Sequence, residues 1–187
     1  MLTEEAIVEQ IQMDPEMMEV LAIIRDLGLA DAWLAAGAVR NFIWNQLSGK
    51  PGFDVTTDLD LVFYDSAISY EQTLQIEQEL KKTYPQYAWE VKNQVYMHGH
   101  SPGTYPYTSS FDAISKYPEQ CTAIAVRLTP NQELELFTPY GLGELEQMIV
   151  QPTPHFREDP ERLAIYRERM AKKDWLQKWP SLEVKDL

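Results

Sequence analysis

The sequence contains a single cysteine, Cys121, among its 187 residues. That excludes an internal disulfide framework and fits a chain folding in the reducing cytoplasm. Long apolar runs are missing as well: none approaches the roughly 20 residues that a membrane span needs. The opening stretch MLTEEAIVEQ is acidic and lacks the basic-then-apolar layout of a signal peptide. Basic charge is scarce, with 16 Lys and Arg against 29 Asp and Glu, a net −13. A field of that sign repels polyanions, because affinity for nucleic acid rests largely on Lys and Arg neutralising phosphates. The only basic clusters are short pairs such as Lys81-Lys82 and Lys172-Lys173. A DNA or RNA partner is disfavoured; a small nucleotide is not.

What is present reads as a soluble α/β chain. The length suffices for one domain with a real core, taken here as residues 1–187, with the segment from about 151 packing as a helix plus a tail anchored by Trp179 and Leu182. MDPEMMEVLAIIRDLGLAD predicts a helix, with Asp14 as cap, Pro15 at the first position and Gly28 at the exit. AWLAAG is a short buried strand. AVRNFIWNQLSG is a helix with Val39, Phe42, Ile43 and Leu47 on one side, closed by Gly49. SGKPGFDVTT is an exposed loop and DLDLVFYD a strand. Ser69 and Gln72 make a capping-box pattern for a helix running to about Thr83. YAWEVKNQVY is a strand in which Glu90, Lys92 and Gln94 alternate with Trp89, Val91 and Val95. A Gly-, Pro- and Tyr-rich loop spans Met97 to Ser110, followed by a short helix from Phe111 to Lys116. CTAIAVRLT and ELELFTP, joined by PNQ, predict a hairpin.

Six acid-x-acid pairs occur in the sequence, and five sit where a solvated face explains them. Asp58 and Asp60 differ, because they head the most apolar strand. Residues two apart on a strand point the same way, roughly 6.5 Å apart, and like charges at that spacing repel unless a cation or donors sit between them. Magnesium, which takes oxygen ligands, is the natural cation, with manganese as its substitute. Upstream, AGAVRN lies at a strand-to-helix junction, where Gly37 and Ala38 would let a phosphate approach the helix amides and the positive end of the dipole. Arg40 gains nothing from that dipole, so it pairs either with an anionic ligand or with a surface acid. A phosphate-binding helix start beside a carboxylate strand is the equipment of metal-assisted phosphoryl or nucleotidyl transfer.

These residues resemble the polymerase-beta-like nucleotidyltransferase superfamily. AGAVRN is similar to the GGxVRD turn of tRNA nucleotidyltransferases and bacterial poly(A) polymerases, and TTDLDLVF to the Asp-x-Asp strand. The chain as a whole resembles a bacterial nucleotidyltransferase-like family through WLAAGAVRNFIWNQLSG, DLDLVFYD, WEVKNQVYMH, ELELFTPYGLGEL and WPSLEV. The resemblance implies a mixed sheet flanked by helices and transfer of a nucleoside monophosphate from a nucleoside triphosphate to a small molecule or protein. Asp58, Asp60 and a third carboxylate would hold magnesium. Glu90 is the choice for that third acid and Glu135 the alternative. Gly37, Ala38, Arg40, Asn41, Lys92 and Asn93 would hold the nucleotide, with Gln94 a further base or sugar contact. His98 and His100 read as solvent or loop-packing residues, and Tyr105 and Tyr107 as loop residues that could stack a base. Two departures stand out. Ala36 replaces the first glycine of the turn, and twenty residues separate Gly37 from Asp58, which implies a longer helix or an inserted loop around Pro51. The alternative reading of the same scaffold is a non-catalytic module that binds a nucleotide or a partner.

Overall fold

Alternation along five short strands gives a mixed sheet with two unlike faces. The structure, a computed structural model, describes residues 1–186. The strands are β1 (Trp33–Ala35), β2 (Asp58–Phe63), β3 (Ala88–Asn93), β4 (Ala125–Leu128) and β5 (Leu134–Phe137), in the order β3-β2-β1-β4-β5. β2 and β3 are parallel, and the remaining neighbours are antiparallel. On the back face, Leu34, Leu59, Leu61, Phe63, Trp89 and Val91 meet the apolar sides of α1 (Glu4–Gln12), α2 (Pro15–Asp26), α3 (Gly37–Leu47) and α4 (Tyr70–Thr83) in the main core. The front face is smaller and carries the polar groups. Trp33, Ala35, Val62 and Ala125 form a second cluster there with Ile114 of α5 (Ser110–Ser115). A two-stranded parallel sheet, β6 (Ile149–Val150) with β7 (Glu183–Val184), anchors the C-terminal segment. α6 (Gly143–Gln147) precedes β6, and the segment itself contains α7 (Pro154–Arg157), α8 (Pro160–Lys172) and α9 (Trp175–Lys178). Among the described residues, no helix is long and apolar enough to cross a membrane.

Local signals set most helix starts. Asp14 caps α2 by accepting from the Met17 amide, and Ser69 and Gln72 close the reciprocal capping box of α4. Several expectations change. MLTEEAIVEQ, read from the sequence only as acidic, forms a helix: Thr3 caps α1, whose Ile7 and Ile11, four residues apart, are buried. Leu47, placed on the apolar side of α3, is instead exposed at the end of that helix. β3 stops at Asn93 rather than continuing through Tyr96, because the Asn93 side chain accepts from the Val95 amide and turns the chain into a 3-10 helix at Gln94–Tyr96. Similarly, β4 begins only at Ala125, since Gln120–Thr122 is a 3-10 turn. The loop expected between Met97 and Ser110 contains one more such turn, at His98–His100.

The long connection from α3 to β2 is an inserted loop, and it is pinned. A Cβ at Gly52 would stand 2.6 Å from the buried Phe42 ring, so only glycine fits. The Gly52 carbonyl accepts from Asn45 Nδ2, and Asn45 Oδ1 in turn accepts from Trp179 Nε1. One asparagine of α3 therefore ties the loop to the C-terminal tail, whose Trp179 and Leu182 are both buried.

Candidate active site

β2 presents Asp58, Asp60 and Val62 to the front, and the parallel register sets Glu90 beside Asp60 and Lys92 beside Val62. Glu135 lies on β5, three strands from β2, or roughly 14 Å at normal strand spacing. It is ion-paired there to Arg127 at 2.6 Å. Glu90, not Glu135, is the acid that shares a neighbourhood with Asp58 and Asp60.

The Asp60 carboxyl is asymmetric. Its Oδ1 is enclosed and has no hydrogen-bond partner, whereas the side chain as a whole is 22% exposed. Lys92 Nζ stands 3.6 Å from that oxygen and 3.2 Å from Glu90 Oε2. Burial pushes the Asp60 pKa up to about 7; Lys92 opposes the rise, and Glu90 and Asp58 add to it. Burial disfavours the ionised form of Glu90 too. The hydrogen bond with Asp60 and the Lys92 ammonium outweigh that and hold Glu90 below its usual value. Lys92 is itself buried enough to lose charge, but the two carboxylates keep its pKa above the ordinary lysine value.

The donor set suits a hard divalent cation: two carboxylates on one strand face, one of them with an enclosed oxygen that lacks a donor. Among the described residues no three acids, histidines or cysteines gather closely enough to hold a metal ion, and Lys92 supplies the positive charge between Asp60 and Glu90.

The start of α3 faces the same acids, because Ala35 pairs in register with Asp60. It has no side-chain cap, in contrast to α1, α2, α4 and α8. Ala36, at the N-cap position, has φ 59° and ψ −130°, a conformation that favours glycine. A non-glycine residue held there stores about 1–3 kcal/mol of strain. Ala36→Gly should therefore stabilise the protein by about 1 kcal/mol and raise its melting temperature by about 2–4 °C. Differential scanning calorimetry checks this, and an unchanged or lower transition would refute the strain.

Arg40 does not occupy either position expected of it. Its guanidinium is buried and stacked 4.1 Å from the Trp175 ring centroid and 5.2 Å from that of Trp44. It donates to Thr122 Oγ1 at 2.7 Å and to Asn41 Oδ1 at 3.0 and 3.1 Å. Gly37 gives it room: a Cβ there would lie 3.2 Å from Arg40 Nη2. Arg40 and Asn41 thus brace the helix start from within. Ala38 is buried beside them. Asn93 is likewise turned inward, 2% exposed, binding the carbonyls of Asp65 and Ile68 and the Asp65 amide. It sits on the back face with Trp89 and Val91, so it closes the β2–α4 turn and is not free to contact a ligand.

Beyond Asp60 a cavity of about 210 Å³ runs under the segment from Met97 to Pro118. Gln94, Tyr107, Lys116, Tyr117 and Thr122 help line it. Tyr107 is buried and its carbonyl accepts from Tyr64, whereas Tyr105 points into solvent. His100 reaches this cavity, and His98 packs edge-on against Tyr107. Lys116, Tyr117 and Thr122 gave no sign in the sequence, since they follow a short helix without periodicity. A larger groove of about 800 Å³ between α2 and α4 lies behind the sheet, walled partly by Glu19, Asp26 and Glu79, and reaches none of the front-face acids.

A family model for nucleotidyltransferases matches residues 22–184. The chain belongs to that nucleotidyltransferase family. An NMR structure described as revealing a CCA-adding enzyme head domain is 53% identical, with a TM-score of 0.94, over 99% of this chain and 97% of that one. The nucleotidyltransferase fold extends to more distant structures. A CCA-adding enzyme complexed with ATP aligns at 15% identity and TM-score 0.55, over 97% of this chain and 42% of that one. A tRNA-processing enzyme in an apo form aligns at 14% and 0.56, over 92% and 44%. No curated protein matches this sequence. Within the family's fold the Asp58/Asp60 strand and the Gly37 helix start lie side by side, the arrangement expected from the sequence resemblance.

Proposed function

We propose that this chain is a magnesium-dependent nucleotidyltransferase that moves a nucleoside monophosphate from a nucleoside triphosphate to a hydroxyl acceptor other than a nucleic acid. The observation that carries this reading is the enclosed, donor-free Oδ1 of Asp60, set beside Asp58 and Glu90 at the uncapped start of α3. Asp58, Asp60 and Glu90 would hold the cation by closing on it in place of the Lys92 ammonium, since as they stand the three acids are not gathered closely enough. Magnesium bound there supplies positive charge to the triphosphate and lowers the pKa of the acceptor hydroxyl. The chain's own groups do the rest. The Gly37 and Ala38 amides and the α3 dipole receive phosphate oxygens. Lys92 exchanges its carboxylate partners for phosphate. Arg40 and Asn41 keep the helix start rigid. The net −13 speaks against a polyanionic acceptor.

Lys92 also favours a second reading, a non-catalytic nucleotide-binding module. Its ammonium already offsets Asp60 and Glu90, the task a cation would perform. Calorimetric titration of nucleoside triphosphates with magnesium, paired with a pyrophosphate-release assay across acceptors, separates the two. Metal-dependent binding with pyrophosphate release supports transfer. Binding without release supports the module, and absence of metal-dependent binding overturns the catalytic reading.

A further inference from the structure

On the back of the sheet α2 rests on β1 and β4, and α4 rests on β3, so the two helices stand apart on either side of β2. The gap between them is the groove of about 800 Å³. Its floor is apolar, with Ile23 and Leu27 from α2, Ile76 and Leu80 from α4, Tyr84 just beyond that helix, and Ile68 from the turn before it. The helical contributions recur every four residues, so each helix turns an apolar stripe into the gap. Leu27 is 37% exposed, and Ile23, Ile76 and Tyr84 are only half-buried. Every charged residue lining the groove is acidic: Glu19 and Asp26 on one wall, Glu79 on the other. Asp26 is partly offset by Arg25 at 2.9 Å, although Arg25 itself lines a different groove. Glu19 lies beside the Tyr87 hydroxyl, a neutral donor that leaves its charge in place. Glu79 makes no ion pair among the described residues, since Lys81 binds Glu77 instead. An acidic composition does not by itself produce such a rim. Two other surface grooves carry both signs, Arg127 with Glu135 in one and Lys50 with Asp54 in the other.

We propose that this groove docks a basic amphipathic helix of a partner protein. The helix sets apolar side chains at i, i+3, i+4 and i+7 on the Ile76 and Leu80 floor, and its lysines or arginines meet Glu19 and Glu79. The part of α4 that lines the groove, from Gln72 to Thr83, spans about 17 Å, or roughly three turns of such a helix. A second copy of this chain is a poor occupant, because a two-fold interface through the groove would set the same acids against each other. The groove reaches none of the front-face acids, so its occupant is independent of the transfer reading.

The test is amide NMR of the ¹⁵N-labelled full chain, titrated with a leucine–lysine peptide of about four helical turns that carries leucine at i, i+3, i+4 and i+7. The controls are the same residues in scrambled order and a leucine–glutamate peptide of the same pattern. The first peptide should shift Leu27, Ile76 and Leu80, leave Gly37 and Asp58 unmoved, and bind at least about tenfold more tightly than either control. Leu27→Ser should weaken that binding at least about fivefold, and Glu19→Gln with Glu79→Gln at least about tenfold. These are exposed side chains, so the variants should melt within about 2 °C of the wild type. Equal binding of either control, unmoved groove signals, or undiminished binding by the glutamine variant overturns the proposal. So do equal shifts from an uncharged amphiphile such as octyl glucoside, which would make the groove a small-molecule pocket. Sedimentation of the free protein as a dimer that Leu27→Ser dissociates would also overturn it, by making the occupant a second copy.

Discussion

Asp60→Asn should reduce nucleotidyl transfer by about a hundredfold to a thousandfold and at the same time raise the melting temperature of the metal-free protein. The first effect follows from removing an anionic ligand at the centre of the site, where loss of one electrostatic stabiliser is worth about 10²–10³ in rate. The second follows from burial. In the unfolded chain Asp60 ionises near the ordinary aspartate value of 3.8, and in the folded protein near 7. Between those values the folded state holds a proton that the unfolded state has released, so wild-type stability falls as pH rises from about 4 to 7 and then levels. Asparagine carries no such burden and can offer the Lys92 ammonium its carbonyl. With 22% of the side chain reaching water, the gain is about 1–2 kcal/mol above pH 7, or about 2–8 °C, and vanishes near pH 4. Scanning calorimetry of both proteins across that range, alongside a pyrophosphate-release assay, checks both halves. A variant that melts lower at pH 8 would show that Asp60 supports the fold instead of straining it.

Arg169→Ala should be the most damaging substitution far from the acids. Glu119 is 0% exposed, and its carboxylate is gripped by Arg169 Nε at 2.7 Å and Nη2 at 3.3 Å. Removing one partner of a buried pair leaves an uncompensated charge, typically worth 3–5 kcal/mol. The neighbouring positive charge of Arg40 softens this, so about 3 kcal/mol is expected, or about 6–12 °C. The damage reaches the site through contacts already described. Glu119 opens the 3-10 turn that carries Thr122, Thr122 accepts from Arg40, and α8 leads into the Trp175 that stacks on the same guanidinium. Arg169→Met combined with Glu119→Gln should recover most of the lost stability, because the charge is then gone rather than unpaired. A double variant no more stable than Arg169→Ala would refute the pairing as the cause.

Some of the site was legible because its signals are local. Asp58 and Asp60 share a face by the two-residue period of a strand, and that period is intrinsic to the backbone. The same rule could have rejected Asn93 as a ligand contact, since its odd position places it with Trp89 and Val91 on the core side. Thr3, Ile7 and Ile11 similarly carried the pattern of a capped amphipathic helix in a stretch that read only as acidic. Arg40 was a different matter. Its partners Thr122 and Trp175 lie 82 and 135 positions along the chain, and no spacing rule reports a stacking residue at that range.

The sequence by itself determined the local elements, the strand face that carries two acids, and the capped starts of α2 and α4. Each depends on backbone periodicity or on side chains within four residues of one another. Only the tertiary structure decided that Glu90 rather than Glu135 neighbours Asp60, that Arg40 is a brace inside the wall, and that Lys116 and Tyr117 close a cavity beside the acids. Strand order and the docking of the C-terminal segment come from burying apolar faces over long separations, and that choice is made by the whole core at once.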